Sequence, residues 1–258
     1  MNSDNVDRRR FFRRSLGVAA AMFVAGCDRL NGTDWFPKLL STSEDLSRVV
    51  HKTVIARKSM AQEFTEADLS PHFRSNGTAN PESPMYQALA ANDFADWALK
   101  VDGLVAHPQE FSLARLRALP SRTQITRHDC VEGWSAIGKW SGVPLAQILR
   151  TVQPAATARY AVFHCADPME SDGASLYYES IDMDDAHHPQ TILAYELNGE
   201  PLPIANGAPL RLRVERQLGY KHAKYLMRIE LVSSLENIHG GKGGYWEDSN
   251  GYQWYAGI

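Results

Sequence analysis

Apolar and polar positions alternate most clearly in the C-terminal half of the chain. Leu210, Leu212 and Val214 alternate with Arg211, Arg213 and Glu215, a period of two that predicts a strand with one apolar and one polar face. Met227-Arg228-Ile229-Glu230-Leu231 repeats the pattern. Tyr160 to Cys165 is a short, mostly apolar run, which predicts a strand buried on both faces. Upstream, Phe94 to Val105 reads as a strand and Phe111 to Leu119 as a short helix, split by His107-Pro108. Pro71 to Pro84 carries three prolines, Gly77 and two Asn, and is predicted as a loop. Ser43, followed by Leu46, Val49, Val50 and Val54, opens a predicted helix. Strands and helices are interspersed without a regular βαβ rhythm, which points to an α+β, β-rich single domain.

The first 27 residues follow another logic. Arg8-Arg9-Arg10-Phe11-Phe12-Arg13 reads as a twin-arginine export signal, and the apolar stretch Leu16 to Gly26 is too short to span about 30 Å of hydrocarbon as a helix. Val24-Ala25-Gly26-Cys27 looks like a bacterial lipobox, which would make Cys27 the acylated first mature residue. Residues 28–70 are then expected to form a tether with an N-terminal helical segment, and 71–258 the catalytic domain. This address implies the periplasmic side of the inner membrane and use of the twin-arginine machinery. Twin-arginine export carries proteins already folded, often around a cofactor.

Charge narrows the function classes. Beyond residue 27 the chain holds 22 basic and 28 acidic residues, which argues against nucleic-acid binding, since that requires basic surface. No Cys-x-x-Cys or Cys-x-x-Cys-His occurs, excluding zinc-ribbon, thioredoxin-like and covalent haem sites. Gly240-Gly241-Lys242-Gly243-Gly244 lacks phosphate-loop spacing and reads as a flexible lead into the aromatic tail Tyr245-Trp246, Tyr252 and Trp254-Tyr255, expected to pack back on the body. Asp182, Asp184 and Asp185 lack the Gly and Glu of a calcium loop, and His187-His188-Pro189 reads as a turn.

The candidate chemistry centres on Cys130. Arg127, His128 and Trp134 surround its thiol in sequence, an electropositive setting expected to favour the thiolate. A metal thiolate, a Cys/His nucleophile and a structural cysteine are all compatible with that pattern. A Cys130–Cys165 disulfide in an exported, lipid-anchored scaffold is a further alternative.

Three ordered blocks carry a resemblance. Arg127-His128-Asp129-Cys130-Val131-Glu132-Gly133-Trp134-Ser135 with Trp140 to Leu145, then Leu193 to Leu202 with Asn206-Gly207-Ala208-Pro209-Leu210-Arg211, and Gly219 to Tyr225, resemble the sulfite oxidase-like molybdopterin oxidoreductases, from about Phe73 to Val232. The resemblance implies the β-rich sulfite oxidase-type molybdopterin-binding fold and a molybdenum-molybdopterin cofactor. It implies that Cys130 is the single protein thiolate on molybdenum, with Arg127 and His128 beside it as catalytic candidates. Phe73, Arg74, Asn76, Asn206, Arg211, His222, Ala223 and Lys224 would hold the pterin and its phosphate. Cys165 stands where the family's periplasmic reductases place a hydroxyl residue, and it reads equally as a buried core cysteine. Arg213 reads as part of a solvated strand face.

The implied activity is oxygen-atom transfer on a small substrate such as an S- or N-oxide. Electrons would be exchanged with a separate cytochrome or membrane haem protein. Sulfite oxidation is the alternative within the family and would draw on Arg127, His128 and Arg74. An apolar pocket for an S-oxide would draw on Trp134, Tyr177, Tyr178 and the aromatic tail. With only about 25 residues after the resembling core, a monomer is expected.

Overall fold

A computed structural model describes residues 59–170 and 175–258, with Thr33 and Trp35. Apart from those last two, the described residues belong to one compact unit, Arg57–Ile258. The expected export signal and the helix from Ser43 lie outside the described residues, and of the expected 28–70 segment only Thr33, Trp35 and 59–70 are described.

Among the described residues, ten strands form two sheets. The first has the order β2 (Gln109–Ser112), β1 (Ala98–Gly103), β10 (Leu226–Val232), β5 (Tyr160–Pro168), β6 (Leu176–Asp182). Only β1 and β10 run parallel. In the second, β3 (Arg122–Asp129), β4 (Ser135–Pro144) and β7 (Thr191–Leu197) are antiparallel neighbours. The far edge of β7 is shared by β8 (Glu200–Pro201) and β9 (Arg211–Val214). Five short helices complete the unit: α1 (Pro84–Ala91), α2 (Leu113–Arg117), α3 (Leu145–Val152), α4 (Met183–Ala186) and α5 (Tyr245–Asn250).

The main core forms where both sheets and α3 turn their apolar residues together: Leu99, Val101, Phe163, Ile181, Ile229 and Leu231 from the first sheet, Val143, Leu193 and Leu212 from the second, Ile148 and Leu149 from α3. A smaller cluster, Phe73, Trp140, Ile192 and Ala194, occupies the second sheet. Residues 59–70 run along that sheet, with Phe64 N donating to Ile125 O at 2.8 Å and Ser70 N to Ile137 O at 3.0 Å. The expected loop between Pro71 and Pro84 is present.

Several expectations change in detail. The strand expected over Phe94–Val105 occupies only 98–103, because Asp93 and Phe94 turn the chain at φ 53° and 59°. The helix expected over Phe111–Leu119 is α2, opened by Ser112, whose hydroxyl accepts from Arg115 N at 3.2 Å; Phe111 itself belongs to β2. β9 forms as the alternation predicts, but its polar face is not solvated: all four residues are buried, Arg211 and Arg213 completely. The reading of Arg213 as a solvated residue is therefore wrong. A strand crowded by β7 and by the segment from Gly219 to Lys224 has no free face to offer water. The glycine run is likewise no flexible lead. Gly243 and Gly244 are buried, and a Cβ on Gly244 would overlap the carboxylates of Glu247 and Glu179.

The register of β4 on β7 rests on Gly142, where the pairing shifts after Ser141. A Cβ at Gly142 would overlap the Leu193 carbonyl and stand 2.6 Å from Ala194 Cα. Backbone cannot yield as a side chain does, so Gly142→Ala should destabilise the unit by about 2–3 kcal/mol. A melting temperature lowered by about 4–10 °C in a thermal scan is the expected result; an unchanged value would contradict this register.

Candidate active site

The loop Cys130–Trp134 closes the β3–β4 hairpin. Cys130 N donates to Trp134 O at 2.9 Å and Gly133 N to Cys130 O at 3.1 Å. Gly133 takes φ 83°, a left-handed conformation that costs glycine little. This turn carries Cys130 into a cavity of about 210 Å³. Asn76, Gly77 and Thr78 contribute to its wall from the early loop, Asp167 and Met169 from the end of β5 and just beyond, and Tyr177 from β6. Tyr220, His222 and Lys224 come from the β9–β10 connection, and Trp246 and Tyr252 from the C-terminal segment.

The setting of Cys130 is not the expected one. Its thiol is 9% exposed, and burial raises its pKa, with the Glu132 carboxylate adding to the rise. The electropositive surroundings implied by Arg127 and His128 do not form. Arg127 points outward and pairs with Asp129 at 3.0 Å, as the alternation of β3 requires. His128 is buried, its pKa pushed well below the usual histidine range by burial and by Arg213 and Arg211. Its Nδ1 accepts from Arg213 Nη1 at 2.9 Å, and its Nε2 lies against Gly219, where a Cβ would come within 2.5 Å. The ring is therefore neutral and held in place. Arg213 completes this network by a fork onto Glu215, at 2.9 and 2.5 Å. Cys130 and Cys165 are both free thiols, so the disulfide alternative has no support here.

A second set of buried charges is not balanced. Arg211 is fully buried and donates only to carbonyls, Asn206 O at 2.9 Å and His222 O at 3.2 Å, with its guanidinium 5.0 Å from the Trp140 ring centroid. Burial, with Arg213 adding, lowers its pKa to about 9. Lys224 Nζ likewise donates to carbonyls, Asn76 O at 2.6 Å, Thr78 O at 2.5 Å and Ala205 O at 3.1 Å. Burial and Arg211 lower its pKa to about 7. Among the described residues neither cation has a carboxylate within ion-pair distance. Beside them Arg211 Nε, Asn206 Nδ2, His222 Nδ1, Asn76 Oδ1 and Asp167 Oδ1 are buried without hydrogen-bond partners. Buried charge and orphaned polar atoms each cost folding free energy. Asn76, Asp167, His222 and Lys224 line the cavity, whereas Arg211 and Asn206 do not and lie behind His222, joined to it through the Arg211 hydrogen bonds; together they offer polar, cationic groups to an anionic guest.

The remaining candidates take other places. Cys165 is 1% exposed within the main core and does not line the cavity. Phe73 packs edge-on against Trp140 at 5.0 Å, and Arg74 is exposed, 5.3 Å over Trp134. Ala223 is fully buried and its carbonyl accepts from Leu212 N at 2.8 Å, fastening the His222–Lys224 segment to β9.

Comparison with known proteins gives this arrangement a context. Residues 86–238 match the family model of the oxidoreductase molybdopterin-binding domain. The chain is 36% identical over 250 residues to a protein of Azospira oryzae named as protein-methionine-sulfoxide reductase subunit YedZ1, spanning 97% of this chain and 87% of that one. It is 33% identical over 238 residues to the protein-methionine-sulfoxide reductase catalytic subunit MsrP of Xanthomonas axonopodis pv. citri, spanning 89% and 71%. This chain belongs to the molybdopterin-binding oxidoreductases. Among solved structures, the sulfane dehydrogenase SoxCD of Paracoccus pantotrophus shares the fold with TM-score 0.50 and 22% identity, over 58% of this chain and 45% of that chain.

The residues present fit the group that names this family. A terminal phosphate suits Arg211 and Lys224, which have no carboxylate at ion-pair distance among the described residues, and the orphaned atoms of Asn206, Asn76 and His222 suit a pterin's polar edges. Cys130 is the one cysteine on the cavity wall and the natural soft ligand for molybdenum. Sequence reasoning missed Glu132, Asp167, Met169 and Tyr220 in this wall. The Asp167-Pro168 strand end was the only available signal for Asp167. Tyr177 and the aromatic tail were anticipated as pocket residues, whereas Tyr178 turns away to donate to Asp248.

The unbalanced lysine has a pH signature in the molybdopterin-free chain. The folded-state pKa of Lys224, about 7, lies below its ordinary value of 10.5. The unfolded chain then binds more protons, and stability rises with pH above 7. Asp167, raised to about 7 chiefly by burial, favours the folded state only below that pH. Urea unfolding of chain made without molybdopterin should therefore show stability climbing between pH 7 and 9, by at most about 1.4 kcal/mol per unit. Lys224→Met should flatten this slope.

Proposed function

We propose that this molybdopterin oxidoreductase reduces S-oxides, of which protein-bound methionine sulfoxide is the class named by its relatives. The observation that carries this reading is the composition of the wall around Cys130. Met169, Tyr177, Tyr220, Trp246 and Tyr252 provide a largely apolar surface on one side of a wall that also holds Glu132, Asp167, His222 and Lys224, the last two facing the expected pterin phosphate. Such a wall suits a neutral sulfoxide with an organic substituent. The side chains expected to receive a sulfite dianion, Arg127, His128 and Arg74, are all turned to other partners.

When bound, the molybdenum-pterin group supplies the two-electron couple that accepts the oxygen atom. The chain's own residues do the rest. Cys130 would supply the thiolate ligand to the metal, and Arg211 and Lys224 would face its pterin phosphate. Tyr177 Oη donates to the Tyr220 backbone carbonyl at 2.5 Å, which holds the Tyr177 ring in the wall. Asp167, buried and with its pKa near 7, retains a proton close to neutrality within the same wall.

The export signal supports a site of action on the periplasmic face of the inner membrane, with a lipid anchor at Cys27. Without a haem motif in the chain, electrons are supplied by a separate membrane-associated carrier.

Full-length protein expressed with molybdate should carry about one molybdenum per chain by elemental analysis, and should oxidise reduced viologen with methionine sulfoxide as acceptor. Cys130→Ser should retain its fold by circular dichroism and lose both the metal and the turnover. Loaded wild-type enzyme that oxidises sulfite and leaves sulfoxides untouched would overturn the assignment.

A further inference from the structure

The C-terminal segment after β10 is fastened to the rest of the unit by more contacts than a chain end requires. Its backbone pairs with the stretch leading from β9: Leu218 N donates to Ala256 O at 2.9 Å and Ile258 N to Arg216 O at 3.0 Å. Tyr220 Oη donates to Gln253 O at 2.6 Å. Beneath α5 lies a charged triad with no exposure at all. Lys221 Nζ meets both Glu179 of β6 and, at 2.8 Å, Glu247 of α5. Gly243 and Gly244 allow this approach, because side chains there would collide with Trp254, Leu235 and the two carboxylates.

Two carboxylates on one buried ammonium form a demanding arrangement. Burial, with Glu247 adding, raises the pKa of Glu179, and Lys221 opposes the rise. Removing any partner would strand charge in the interior, and the segment accordingly has one position. That position matters because α5 carries Trp246, and the residues just after it carry Tyr252. Their rings stack at 5.9 Å, Tyr252 meets Tyr220 edge-on at 5.1 Å, and all three line the cavity that holds Cys130. Tyr252 is 37% exposed, which places it at the cavity mouth.

We propose that this segment, locked by Lys221, Glu179 and Glu247, is the specificity wall of the site, in which Trp246 and Tyr252 select S-oxides bearing an aromatic or aliphatic substituent over small polar ones. The proposal rests on the S-oxide reading and deepens it. Aromatic faces contact organic sulfur and apolar groups favourably and give little to a compact polar molecule. Trp246 and Tyr252 are specificity residues; Glu247 and Glu179 are positioning residues that act through them.

The test uses the loaded, full-length enzyme. The ratio of kcat/KM for methyl p-tolyl sulfoxide to that for dimethyl sulfoxide is measured, together with calorimetric affinity for methyl p-tolyl sulfone, which is not reduced. Trp246→Ala should lower the ratio about tenfold and weaken sulfone binding similarly, with partial rescue in Trp246→Phe. Glu247→Gln should raise KM for the tolyl substrate while kcat is retained. If Trp246→Ala does not fold, Tyr252→Ser at the exposed mouth is held to the same criterion. Ratio and sulfone affinity indistinguishable from wild type would overturn the wall. Wild type that reduces neither sulfoxide yet binds the sulfone through Trp246 would leave the wall standing and defeat the S-oxide reading alone. Wild type that fails to bind the sulfone would defeat the wall even with dimethyl sulfoxide reduced.

Discussion

Arg211 and Lys224 carry positive charge into the interior with no carboxylate at ion-pair distance among the described residues, although Asp167 and Glu132 share the cavity wall with Lys224, and the rest of the site is arranged around that charge. Backbone carbonyls from the early loop, from the turn before β9 and from His222 surround the two head groups. Carbonyl dipoles hold cations in place but do not neutralise them. Desolvation opposes the charged state of both residues, as their lowered pKa values record. A protein that folds around a phosphate-bearing pterin recovers this cost on binding, since an anion meeting a desolvated guanidinium gains far more than it would at a wet surface.

Charges elsewhere in the interior are treated differently, and the contrast separates structure from function. Arg213 lies two residues from Arg211 on the same face of β9, and it is closed off by Glu215 and His128. Lys221 lies three residues from Lys224, and it is closed off by Glu179 and Glu247. Each neighbouring pair thus consists of one cation satisfied by the protein and one left for a guest. The satisfied members fix the frame: Arg213 orients His128 on the strand that delivers Cys130, and Lys221 anchors the segment that brings Trp246 to the cavity.

Cys130 sits at the tip of a hairpin, held between this polar cradle and the aromatic wall. Its buried thiol, with the pKa pushed up, would be a poor nucleophile at neutral pH. The same seclusion suits a metal thiolate, whose proton is displaced on binding and whose site benefits from exclusion of water. A Cys/His hydrolase is disfavoured for the same reason, because the neighbouring His128 is engaged with Arg213 and faces Gly219 rather than the thiol.

The sequence by itself determined the α+β class, the strands at Tyr160, Arg211 and Leu226, and the cysteine at the centre of the chemistry, because period-two alternation and motif spacing are local properties written along the chain. It singled out Asn206, Arg211, His222 and Lys224 through the second and third ordered motifs and Asn76 through the early loop Phe73–Asn76. It did not distinguish Arg211 from Arg213, or the outward Arg127 from the buried His128, since alternating residues tell which face a side chain takes but not what covers that face. Only the tertiary structure decided those questions. The β9–β10 connection and the C-terminal segment close over positions that appear polar in one dimension, so that burial, and with it the sign and size of every charge effect in the site, is set by residues far away in the chain.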